Sequence, residues 1–138
     1  MTATQQNDIY LIAHIGHTSK HCDHITWWNP DSRGYTYCIH KAGRYSAEQC
    51  ERICTSGLCV AFRVDNVESL ARSTPYYRRE NGSLSKLYDA EHLRVVPNSR
   101  DFWRDLMAFR AFPQFMTKTA KPTPIGAKAV AIYLDAPR

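Results

Sequence analysis

Between His14 and His24 the chain carries His14, His17, His21, Cys22, Asp23 and His24, its densest run of groups able to bind a metal or move a proton. Cys38, His40, Cys50, Cys54 and Cys59 follow closely enough to join them in one small folded unit. Imidazole and thiolate together suit zinc. The spacing does not, because a zinc finger brings two paired short spacings together, whereas His17-x3-His21 and Cys50-x3-Cys54 are far apart in the chain. Cys50 and Cys54 are also one helical turn apart, in register with Ala47 and Ile53 and with no histidine on the same helix. That is the pattern of an apolar packing face. No cofactor and no metal is therefore the expectation; the alternative is a structural zinc on His17, His21, Cys50 and Cys54. No residue order marks a nucleophile, its base and an orienting group. There is no Walker loop, dinucleotide glycine pattern or H-E-x-x-H either, so catalysis is not expected and no catalytic residue is assigned.

A second grouping has the chemistry of recognition. Pro75–Glu80 and Ser83–Tyr88 flank Asn81-Gly82, the strongest short hairpin signal. A two-residue loop would set Glu80 opposite Ser83, Arg79 opposite Leu84, Arg78 opposite Ser85 and Tyr77 opposite Lys86. Neither face of that ribbon is cleanly apolar, which predicts an arm projecting into solvent. Tyr76, Tyr77, Arg78, Arg79, Lys86 and Tyr88 are then the candidate partner-binding residues, a mix that suits protein interfaces and nucleic-acid surfaces alike.

The elements that must position these groups centre on Ile25–Gly57. β-Branched and aromatic stretches at Ile25–Trp28 and Tyr35–Ile39 flank the turn Pro30-Asp31-Ser32-Arg33-Gly34. Ser46 and Gln49 form a capping box that opens a helix, and Gly57 stops it. Before this unit, Asp8–Ile15 reads as a central strand; after it come a strand at Cys59–Val64 and a short helix at Val67–Arg72. His92–Pro97 reads as an edge strand and Arg100–Phe112 as a helix with Phe102, Leu106 and Phe109 as its stripe. A proline-containing linker over 113–124 leads to a last strand over 127–135, which either returns to the sheet or waits for a partner's edge. Residues 1–7 are expected to fray. The sum is α+β: a mostly antiparallel sheet, a ββα unit near the N-terminus and two main helices packed on the sheet.

W-W-N-P-D-S-R-G-Y-T followed by K-A-G-R-Y-S resembles a small module found in phage and mobile-element proteins, over roughly residues 24 to 64. The resemblance implies an accessory protein of such an element, acting on the host or its defences. It carries over no catalytic residue.

Composition bounds the rest. At 138 residues, 43% hydrophobic and 22% charged, the chain is one ordinary globular domain, 1–138. No apolar run approaches the ~20 residues of a membrane span, and the first residues do not read as a signal peptide. A cytoplasmic protein without a membrane partner is expected. Five cysteines, an odd number, are then expected to be free thiols. A net charge of +5 favours anionic partners. The function these readings support is a non-catalytic binding protein of a phage or mobile element, docking on a host protein or nucleoprotein complex. An anti-defence inhibitor of the anti-CRISPR type is its sharpest form. The alternative is a small basic nucleic-acid-binding module, with or without zinc.

Overall fold

Five consecutive buried residues, Tyr10–His14, form β1, the middle strand of the main sheet. A strand buried on both faces needs apolar side chains at every position, which is why this run does not alternate. The computed structural model describes residues 9–88, 93–114, 119–126 and 131–134. The expected frayed start, Asp8, His92, residues 115–118 of the linker and most of the last strand lie outside them.

Next to β1, Trp27–Trp28 (β2) and Tyr35–Thr36 (β3) pair as the expected hairpin, Trp27 opposite Thr36 and Trp28 opposite Tyr35. Cys59–Arg63 (β4) pairs along the other edge of β1 from Tyr10↔Arg63 to His14↔Cys59. Ala47–Ile53 (α1) follows the Ser46–Gln49 capping box, both halves of which are formed. Val64–Leu70 is α2 and Arg100–Met107 is α3. Arg72–Ser73 (β5) pairs with Arg94–Val95 (β8). Arg110–Phe112 (β9) closes the five-stranded sheet in the order β3-β2-β1-β4-β9. Pro75–Arg78 (β6), Leu84–Lys86 (β7) and Ile132–Tyr133 (β10) make a separate ribbon sheet in the order β10-β6-β7. All pairings are antiparallel, and the class is mixed α+β. No helix among the described residues is long and apolar enough to cross a membrane.

The main sheet separates two cores. On one face Leu11, Ala13, Val60 and Phe62 meet Trp27, Val67 of α2, and Trp103 and Leu106 of α3. On the other, Tyr10, Ile12 and Ala61 meet Tyr45, Phe112 and the α1 cysteines. Full burial of side chains such as Trp27, Phe62 and Leu11 contributes about 2 kcal/mol each.

The motif K-A-G-R-Y-S has a structural explanation. A Cβ on Gly43 would stand 2.9 Å from the carbonyl oxygen of Asn29 and from Cα of Pro30, so only glycine lets the two segments touch. The Tyr45 hydroxyl donates to the Asn29 carbonyl and accepts from the Ser32 amide, tying down a turn in which Asp31 and Ser32 take positive φ. Arg44 Nη1 donates to the carbonyls of Ile39 and Ala42 at 2.6 and 2.8 Å. The residues carrying the resemblance thus hold one fold unit together.

Three expectations are corrected. α2 begins at Val64, directly after β4, so Val64 is its first residue and not the end of a strand. α3 stops at Met107 instead of Phe112. One more turn of helix would have withdrawn Phe112 from β4 and from its edge-on contact with Tyr10, 5.3 Å between centroids. Phe109, expected on the helical stripe, is left 50% exposed. The third correction is the ribbon register. Arg78 faces Leu84, Tyr77 faces Ser85 and Tyr76 faces Lys86, one residue off the expected pairing. Gly82 N–H bonds the Arg79 carbonyl and Arg79 N–H bonds the Ser83 carbonyl, so the loop spans Glu80, Asn81 and Gly82. Gly82 takes φ +87° as the left-handed residue of this longer loop.

Candidate functional site

The register decides which ribbon side chains act together, since directly opposed residues share a face. Arg78 with Leu84, and Tyr76 with Lys86, share one; Tyr77 with Ser85 share the other. Arg79 Nε donates to Ser85 Oγ, and Arg78 Nη1 donates to the Gly82 carbonyl at 3.2 Å. Tyr77, Arg78, Arg79, Leu84 and Lys86 are exposed, while Tyr76 and Tyr88 are half-buried. A groove of about 470 Å³ runs beside the strands, lined by Tyr77, Arg78, Leu87 and Ile132. Ile132 belongs to β10, whose pairing with β6 (Ile132↔Tyr76, Tyr133↔Pro75) shows the last strand returning to the ribbon within the chain.

Tyr88 has a different place from its expected one on the free arm. Its hydroxyl lies 2.6 Å from His24 Nδ1, and the Tyr133 hydroxyl lies 2.6 Å from His24 Nε2. A neutral imidazole has one donor and one acceptor, so two phenols satisfy it completely. His24 is fully buried, and desolvation lowers its pKa to about 4. Tyr37 stacks on Tyr88 with centroids 5.1 Å apart, and Arg72 lies 4.5 Å over the Tyr133 ring. Burial, then the neighbouring Tyr37 and Asp23, hold the Tyr88 phenol above its usual range. This latch fastens the ribbon to the core from both ends. Nothing local in the sequence links residue 24 to residues 88 and 133.

The remaining histidines divide. His14 Nδ1 accepts from the His17 amide at 3.1 Å, and the His17 ring packs 4.1 Å from that of Tyr35. Burial and then the His17 charge lower the His14 pKa. His21 is exposed, its amide bonded to Ser19 Oγ. Cys50 and Cys54 lie buried against the sheet with Ala61 and Phe112, away from solvent. No group of three or more metal-binding side chains converges among the described residues. Desolvation pushes the Cys50 thiol up to about 12 and raises that of Cys54 as well, so both stay protonated and unreactive at neutral pH.

All five cysteines are free, and only Cys22 has appreciable exposure. Titration with an aromatic disulfide reagent is expected to modify Cys22 quickly in the native protein and the other four only on unfolding. Rapid native modification of Cys50 or Cys54 would contradict their burial.

Compared with family models, with curated proteins and with solved structures, the chain matches none.

Proposed function

We propose that the protein is a non-catalytic binding protein that docks on a host protein through the β6–β7 ribbon. The observation that carries this reading is the groove of Tyr77, Arg78, Leu87 and Ile132. It joins an apolar slot to an exposed aromatic ring and a guanidinium, the composition enriched at energetic centres of interfaces. Among the described residues Arg78 and Arg79 bond a carbonyl and a serine hydroxyl of the ribbon itself and no carboxylate, which leaves their charges to an acidic patch on the partner. The latch on His24 supports the same reading, because a pre-positioned element loses less freedom on binding. The resemblance of W-W-N-P-D-S-R-G-Y-T and K-A-G-R-Y-S to a mobile-element module supports the sharper form: an accessory, anti-defence protein that occupies a host protein or nucleoprotein complex.

The test is capture from host lysate with and without nuclease, followed by affinity measurement on the recovered partner. Tyr77→Ala with Arg78→Ala is expected to weaken binding by about 2 kcal/mol or more. Unchanged affinity in a folded double variant would sink the reading. Capture that disappears with nuclease would replace it by direct nucleic-acid binding, with log affinity falling against log salt by about 0.9 per phosphate contact.

A further inference from the structure

A second pocket, of about 370 Å³, opens between α3 and the segment 119–126 and shares no residue with the ribbon groove. Its lining has two kinds of chemistry. Trp103, Met107, Pro122 and Pro124 make an apolar slot; Arg100, Arg104 and Lys121 stand round it as cations. Its volume lies within the ~300–1,000 Å³ usual for ligand sites, enough to receive one large side chain.

The walls are held firmly. Ala120 N–H bonds the Gly57 carbonyl at 2.7 Å, Ile125 N–H the Asn98 carbonyl at 2.8 Å, and Gly126 N–H the Lys20 carbonyl at 3.0 Å. The fully buried Asn98 ties both walls together: its Nδ2 donates to the Thr123 carbonyl at 3.1 Å, and its Oδ1 accepts from Trp103 Nε1 at 2.6 Å. The prolines that read as a linker are one side of a rigid slot.

The charges distinguish among occupants. Arg104 is shared by Asp101 at 3.3 Å and Asp105 at 3.4 Å, and so is locally neutralised. Arg100 and Lys121 have no carboxylate partner among the described residues. Two uncompensated cations beside an apolar slot favour a ligand that combines one apolar group with a few negative charges. A nucleic-acid strand following α3 would bring its phosphates against exposed Asp101 and half-exposed Asp105. A short ligand with its charges at either end of an apolar side chain avoids them.

We propose that this pocket binds an acidic peptide segment, with one aromatic or large aliphatic side chain in the slot and its flanking carboxylates on Arg100 and Lys121. The inference stands independently of the ribbon reading.

Fluorescence anisotropy at low ionic strength tests it on the full chain, with fluorescein-labelled acetyl-Glu-Asp-Phe-Asp-Glu-amide as the probe. Comparison ligands are the same peptide with alanine at the centre, a lysine-flanked phenylalanine peptide, and a short oligothymidylate. The acidic phenylalanine peptide is expected to bind, and its alanine and lysine counterparts to bind at least about tenfold more weakly. Arg100→Glu with Lys121→Glu, both on exposed side chains, should weaken the probe at least about tenfold while the thermal midpoint stays put. Met107→Gln, which leaves the rim charge intact, should weaken the phenylalanine peptide and leave the alanine peptide unchanged. Failure of the probe to bind would overturn the proposal, as would equal binding of the alanine peptide or an unaltered affinity in the folded double variant. Oligothymidylate binding more tightly than the probe, and lost in the double variant, would overturn it in favour of nucleic acid.

Discussion

Asn98→Ala is expected to lower stability by about 3–4 kcal/mol. Asn98 is fully buried where three segments meet. Its Nδ2 lies 3.0, 2.9 and 3.1 Å from the carbonyl oxygens of Ser19, Cys22 and Thr123, which share its two N–H donors, and Oδ1 accepts from Trp103 Nε1 at 2.6 Å. Truncation leaves the buried indole N–H of Trp103 without its acceptor, an orphan that costs about 1–3 kcal/mol, and removes the side-chain donor that joins the Cys22 and Thr123 segments to it. Against the roughly 5–15 kcal/mol that holds a domain folded, the loss should move the urea midpoint down by more than about 1 M. Asn98→Asp is the sharper variant. The carboxylate keeps an acceptor for Trp103 but turns a negative charge on the three carbonyls, so at neutral pH it should cost at least as much as alanine. Its deficit should narrow in acid, where a protonated carboxyl regains a donor. A midpoint within experimental error of the wild type for either variant would mean that the junction is held by something else.

Acid should loosen the ribbon. His24 has a folded pKa of about 4 against 6.5 for the free side chain. Below 6.5 the unfolded chain takes up a proton that the folded protein does not, so stability is complete above 6.5, declines as the pH falls, and levels off below about 4. At about 1.4 kcal/mol for each pH unit between those values, the full loss comes to roughly 3–4 kcal/mol. The groups facing His24 are the Tyr88 and Tyr133 hydroxyls, with Tyr37 at 6.4 Å between ring centroids. Asp23 is its neighbour in the chain, and Arg72 lies over Tyr133. His14, also depressed by burial, changes stability in the same direction. The measurement that isolates His24 is therefore a difference: urea unfolding of wild type and His24→Gln from neutral pH to pH 4. The gap between the two should shrink steadily below pH 6.5, and amide exchange in β6 and β7 should accelerate in the wild type over the same range. A gap independent of pH would show that His24 is not the group that titrates.

How much of this was legible in the chain depended on how local each interaction is. The sequence alone determined the capped helix α1, because Ser46 and Gln49 satisfy each other three residues apart. It determined β1 and β4, where buried runs leave no alternative face, and the β2–β3 hairpin, whose turn residues lie between the strands they join. It also indicated that Cys50 and Cys54 share a helix face, since one turn of helix aligns them whatever surrounds it.

Only the tertiary structure decided the rest. Asn81-Gly82 announced a turn, but the choice between a two- and a three-residue loop shifts every pair by one, and local propensity separates the two weakly. Helix periodicity ran on past Met107 because it counts apolar residues without knowing that Phe112 has a better partner in β4 and Tyr10. The choice left open for the last strand fell to β6, and the prolines of the linker became a pocket wall through bonds to Gly57, Asn98 and Lys20. His24 read as one more member of a histidine loop. Its two phenol partners lie 64 and 109 residues away, and periodicity, capping and turn chemistry all act over a few residues. Contacts at such separations leave no trace in spacing; they exist only once the sheet and its helices have brought the segments together.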